Sequence, residues 1–209
     1  MSIKKPLISA HLANGILGGK YQDEGVYNAV HVNGFDVSGV RVSQIKIKES
    51  LYESANFDNA ELIKIEISNT RFKKCSFATA KIREVNIDRV EFISCRLTGF
   101  DTAEGIIKNT LFKECKINLA NFRFAEFKDV VFEGCDLDDA DFLGADLHGV
   151  NFSDCNMVNT QFGNAKLSGT DFRTSKIHGV KIQPENLKGV IIGPDQVMDI
   201  VGLFGVDIR

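Results

Sequence analysis

Residues 135–155 read CDLDDADFLGADLHGVNFSDC. A cysteine opens the stretch and another closes it, and the interval divides into fives. ADFLG at 140–144 and ADLHG at 145–149 are the cleanest units: a small residue, Asp, a large apolar residue, then two positions that are polar or glycine-rich. Working outward, cysteines stand at 75, 95, 115, 135 and 155, twenty residues apart without error. Phe72, Phe92, Phe112, Phe132, Phe152 and Phe172 keep the same interval, and so do Ile47, Ile67, Ile87 and Ile107. A fixed period of this length is the signature of a repeat architecture, in which each unit buries its apolar face only by stacking on its neighbours.

Every fifth residue from Val32 to Ile192 gives thirty-three positions, and all but Thr102 are apolar. Two residues before each stands a mostly small side chain, such as Ala55, Ala60, Thr70, Ala120 or Ala140. A period of five fits neither an amphipathic helix nor an alternating strand. It fits a coil that bends every five residues, with two side chains of each five pointing inward. Four bends close a square of twenty residues, the interval that the cysteine column reports independently. Equivalent residues should then stack at the inter-strand distance of about 4.8 Å. Gly99, Gly144, Gly149, Gly169 and Gly179 fall at bends and favour turns that need φ > 0.

The motif small–Asp/Asn–Leu/Phe–x–x, held in register over 30–192, resembles that of the pentapeptide repeat family. The resemblance implies an all-β fold, a right-handed quadrilateral β-helix of about eight coils and about 38 Å in length. The chain reads as a single domain in three parts: an N-terminal cap or incomplete coil over 1–29, the β-helix over 30–192, and a C-terminal helix with a short strand over 193–209. Within the rod, Phe100 occupies a small slot, Thr102 a core slot and Gly105 the next small slot. The register does not slip there, so a bulge or a change of turn is expected.

The tail carries its own signal. Pro194 suits the first turn of a helix. Val197, Ile200, Val201 and Phe204 then follow at i, i+3, i+4 and i+7 as one apolar face. Val206 to Ile208 reads as a short strand. Such a tail covers the open end of the rod, where unpaired backbone invites association. Several members of the family dimerise through a tail of this kind, so Val197, Ile200, Val201, Phe204, Val206 and Ile208 are candidate homodimer contacts.

The residues offer little chemistry. His11, His31, His148 and His178 show no metal-ligand spacing, no Gly-rich phosphate loop is present, and the short polar residues are those that bends demand. An odd number of cysteines argues against a disulfide framework. A straight column of thiols cannot converge on zinc, so the cysteines read as reduced, space-filling residues. No catalytic residue, metal or cofactor is implied, and the chain reads as non-enzymatic. No apolar run is long enough to span a membrane, and the start lacks a secretory signal, so a cytoplasmic protein is expected.

Charge is the remaining argument. The net charge is −3, but residues 126–154 hold nine acids against Lys128 alone, a local −8. Glu133, Asp136, Asp138, Asp139, Asp141 and Asp146 form the heart of this belt and are the candidate partner-binding residues. Basic coils flank it, and nothing in the composition favours direct nucleic-acid binding. The quinolone-resistance members of the family are thought to mimic DNA toward type II topoisomerases. That resemblance implies binding to DNA gyrase or topoisomerase IV and protection against fluoroquinolones. The layout opposes mimicry over the whole length, since about 38 Å of duplex carries about twenty-two negative charges. The expected function is a rigid protein-interaction scaffold, with DNA mimicry as its named form. The alternative is a structural or regulatory scaffold for an unknown protein partner.

Overall fold

The computed structural model describes residues 3–15 and 20–206. Successive coils are joined by parallel pairing offset by twenty residues. Ile47 pairs with Ile67, Ile67 with Ile87 and Ile87 with Ile107, while Phe72, Phe92, Phe112, Phe132 and Phe152 pair in turn. The result is a parallel β-solenoid of about seven turns with one short helix, Val197–Gly202, at its C-terminal end. Counting by twenties over 30–192 predicts one turn more. A 3-10 turn begun by proline, Pro184–Leu187, lies in the last coil, and the twenty-residue pairing continues past it to Ile191 on Asp171.

The large apolar residues fill the axis. Phe72, Phe92, Phe112, Phe132 and Phe152 are at most 1% exposed, and neighbouring rings stack at 4.8–5.1 Å. A second column meets the first edge-on, as where Phe142 crosses Phe132 at 88°. Stacked and T-shaped contacts both suit the ring quadrupole. Polar contacts cap both ends of the main column. Tyr52 stacks on Phe72, and its hydroxyl hydrogen-bonds that of Tyr21 at 2.8 Å inside the core. At the far end, Gln196 Nε2 donates to the carbonyls of Phe172 and Ser175 at 2.6 and 2.5 Å.

The five cysteines are free and buried. Their column has a hydrogen-bonding reason. Each thiol lies 3.3–3.5 Å from the carbonyl of the residue twenty-three positions earlier, as Cys115 does from Phe92. Ser175 continues the column and donates from its hydroxyl to Phe152 at 3.0 Å. The slot wants a small side chain with a donor, and cysteine is a small hydrophobe with a weak one. The adjoining thiols, together with burial, hold Cys75, Cys115 and Cys155 above the ordinary thiol range, so these three stay protonated.

Every corner from Glu24 to Gly169, one residue in five, has positive φ, and so does Gly179. The five glycines expected to do so are among them, yet most corners use other residues, Lys64, Thr79 and Arg89 included. At 100–105 the chain makes the same closed turn as at Phe57–Ala60 and Phe122–Ala125, so neither the expected bulge nor a new type of turn is found. Gly105 N bonds Thr102 O at 3.0 Å, and a Cβ at Gly105 would come within 2.7 Å of Val85 Cγ1. Before the first coil, Leu7, Ser9 and Ala13 donate from the backbone to Asn69, Glu49 and Ala29. These acceptors are equivalent corners of successive coils, so the N-terminal segment runs along one edge of the rod.

Candidate interaction surface

Twenty-residue stacking decides where each belt carboxylate points and what stands above and below it. The belt spreads around the coil. Asp136 bridges between Lys116 and Asn156, Asp141 between Asn121 and Gln161, and Asp146 between Glu126 and Lys166, on three different sides. Glu133 lies on the fourth, paired in register with Lys113 and Ser153. The acids therefore form a ring and not an axial stripe.

The flanking basic coils neutralise three of the nine acids of the belt. Glu133 meets Lys113 at 2.6 Å, Asp141 meets Arg123 at 3.7 Å and Asp146 meets Lys166 at 2.9 Å. Although partial burial works against it, the Lys166 contact keeps the Asp146 carboxyl below its usual range. Asp136 accepts from Asn156 Nδ2 at 2.9 Å, and Asp141 accepts from its own turn at Leu143 N, 2.8 Å away. Asp138 and Asp139, like Asp136, Glu126, Asp129 and Asp154, are outside this pairing. Among the described residues neither has an ion pair, and Asp138 Oδ1 is shielded without a hydrogen-bond partner. Partial burial, with the Asp139 and Asp136 carboxylates close by, raises the Asp138 carboxyl above its usual range.

The C-terminal candidates divide. Ile200 packs against the core, together with Leu203, which the helical spacing does not pick out. Val201 is half-buried, whereas Val197, Met198, Phe204 and Val206 are exposed. Ile208, and with it the strand expected over 206–208, lies outside the described residues apart from Val206, which is not in a strand. Sequence reasoning also misses Gln196. A buried glutamine just before a helix is visible only once its partners are: besides its two donated bonds, its Oε1 accepts from Gly193 N at 2.8 Å. Among the described residues no group of His, Cys, Asp and Glu is placed to hold a metal, and no helix is long and apolar enough to cross a membrane.

No curated protein matches the chain. Among solved structures it is similar to trypsin-treated QnrB1, a plasmid-mediated fluoroquinolone resistance protein, at 16% identity and a TM-score of 0.43, over 88% of this chain and 99% of that one. It is also similar to HetL, a pentapeptide repeat protein involved in heterocyst differentiation regulation from the cyanobacterium Nostoc sp. strain PCC 7120. There the identity is 16% and the TM-score 0.38, over 82% of this chain and 87% of that one. A sequence model of the pentapeptide repeat region matches residues 29–124 and 125–196. With the period of five, the twenty-residue register and that match together, the chain belongs to the pentapeptide repeat family.

Proposed function

We propose that this protein is a rigid scaffold that docks a protein partner on the side of its rod, at the corner bearing Asp138 and Asp139. The observation that supports the reading is the uneven neutralisation of the belt. Glu133, Asp141 and Asp146 have bases from neighbouring coils beside them, and Asp138 and Asp139 have none. Uncompensated surface charge beside a rigid ladder favours specificity and encounter rate. The tail supplies a second contact, a homodimer through Val197, Phe204 and Val206, which stand exposed beside the packed Ile200. Val201→Asp with Phe204→Asp should then give a soluble monomer by light scattering, and an unchanged mass would remove the dimer.

DNA mimicry toward DNA gyrase or topoisomerase IV is the second reading. It is favoured by Glu126, Asp129 and Asp154, which also lack ion pairs among the described residues and extend the acidic zone beyond one corner. The test is gyrase supercoiling with and without a fluoroquinolone across a salt series. Mimicry predicts inhibition that fades as salt screens it, and its loss on reversing Asp136, Asp138 and Asp139 to Lys. Inhibition that is absent at every salt concentration leaves the scaffold without a topoisomerase partner.

A further inference from the structure

Between residues 30 and 183 the rod exposes three large apolar side chains, Ile63, Leu119 and Phe124. All three fall on one side or its bounding corners, the side along which Glu61, Lys81, Asp101, Asn121 and Asp141 pair in succession. Leu119 and Phe124 stand at consecutive corners of a single coil and are 60% and 56% exposed. Their φ angles are +60° and +58°, in the left-handed region that Asn, Asp and Gly tolerate best. The corners stacked on them are Gly99 and Asp139 for Leu119, and Glu104 and Gly144 for Phe124. Solvation and backbone preference both call for a polar residue or glycine at the two positions, and the chain places Leu and Phe there.

The surroundings are shaped to fit. The Phe124 ring lies across Gly144, where a Cβ would come within 2.5 Å of Phe124 Cδ1 and Cε1, so glycine gives the ring a flat seat. Leu119 N donates to Asp138 O at 3.0 Å, which sets the uncompensated pair Asp138 and Asp139 one coil beyond Leu119. Leu119, Asp138 and Asp139 thus share one edge, and Phe124 stands at the next corner across the adjoining side. We propose that this side and its edge bind a basic, amphipathic segment of a protein partner, whose apolar side chains seat on Leu119 and Phe124 and whose Lys or Arg side chains reach Asp138 and Asp139. The proposal rests on the scaffold reading and names its site and the partner's chemistry. Charge selects this occupant over two others. A two-fold contact with a second copy would bring like carboxylates together, and an anionic lipid surface would be repelled.

The experiment measures binding of a short labelled amphipathic peptide of Leu and Lys to the full chain by fluorescence anisotropy. The variants are Leu119→Asn with Phe124→Asn, Asp138→Asn with Asp139→Asn, and a charge-matched control elsewhere in the belt, Glu126→Gln with Asp129→Asn. Each of the first two pairs should weaken binding at least about tenfold, and the control should not. Because Asn tolerates left-handed backbone, the Leu119 and Phe124 pair should keep or raise the melting temperature while binding falls. Absence of peptide binding at low salt, equal weakening by the control, or a variant that changes the oligomeric mass would overturn the proposal. Crosslinking in cell extract separates it from the reading beneath it. A partner held equally by wild type and by the Leu119 and Phe124 variant sinks this site and leaves the scaffold. No partner on wild type sinks both.

Discussion

The coils over 61–100 and the coil over 161–180 share a period, a register and a filled axis, yet they turn their corners differently. In the first region the strands Glu61–Lys73 and Lys81–Ile93 run unbroken through two corners each. In the second, every corner is closed by a backbone turn bond: Phe162 to Ala165, Leu167 to Thr170, Phe172 to Ser175 and Ile177 to Val180, at 2.9–3.2 Å. The small slots explain most of the difference. Ile65, Thr70, Val85 and Val90 are β-branched and favour extended backbone, while Ala fits a tight turn. Val150, Thr170 and Val180 are β-branched and still close behind Gly149, Gly169 or Gly179, with φ of +69° to +77°, and Thr160 closes behind Asn159. Glycine reaches that conformation without strain. The repeat thus sets the path, and the corner residues bias the bend without deciding it, since Asn-Thr runs as strand at 69–70 and 109–110 and closes at 159–160.

The comparison is broken most easily through the core that both regions share. Phe132 is fully buried between Phe112 and Phe152, and Phe132→Ala should cost about 3–5 kcal/mol in denaturant unfolding. Phe72→Ala and Phe152→Ala should cost about the same if corner style does not reach the axis. A loss below about 1 kcal/mol would show that the stack is not what holds the coils together.

Exchanging small slots tests the corners themselves. Ala165→Val forces extra bulk into a closed turn and should cost about 1–3 kcal/mol. Val85→Ala removes two methyl groups from an open corner and should cost roughly 1.5 kcal/mol from lost burial alone. If Ala165→Val is neutral and amide exchange shows a strand running through the corner, the slot residue alone sets the bend.

The two ends sharpen the contrast further. Gln196→Ala unpairs Gly193 N and the carbonyls of Phe172 and Ser175 at the turn-rich end. It should lower stability by about 1–3 kcal/mol. Tyr21→Phe removes the hydroxyl bond to Tyr52 at the strand-rich end, a net effect of about 0.5–1.5 kcal/mol. Since repeat proteins open from weakly capped ends, hydrogen exchange should speed up first near whichever cap is cut. Equal exchange along the whole rod would mean that it unfolds as one unit.

The path of the chain was legible because its cause is periodic. Thirty-two apolar residues in thirty-three slots leave no second register, and the cysteine column with the period of five fixes four bends per turn. Corner style was not legible, because it depends on pairs such as Gly169 with Thr170 and on which side chains pack one coil away. The belt could be read as a list of acids, but its neutralisation could not. Lys113 and Glu133, or Asp146 and Lys166, are twenty residues apart in sequence and in contact only after stacking. Leu119 and Phe124 drew no attention as sequence, since neither occupies a core slot and their meaning lies in an exposed, left-handed backbone.

The smallest expected effect concerns Asp138, whose Oδ1 is shielded without a hydrogen-bond partner. Partial burial, and then Asp139 and Asp136, raise the Asp138 carboxyl in the folded chain above its value of about 3.9 in an unfolded one. The folded state therefore binds the proton more tightly, so this group favours folding below the unfolded value. That contribution is lost as pH rises through the folded one. At neutral pH the charged form is a liability, and Asp138→Asn should raise the melting temperature slightly there and leave it unchanged well below pH 4. Asp171 is the opposite control. Its bonds to Arg173 hold its carboxyl below the usual range, so Asp171→Asn should lower stability at neutral pH and stop mattering once acid titrates the native carboxyl. If both variants shift stability in the same direction at neutral pH, the carboxylate at Asp138 has a counter-charge after all, and its contrast with the paired acids of the belt disappears.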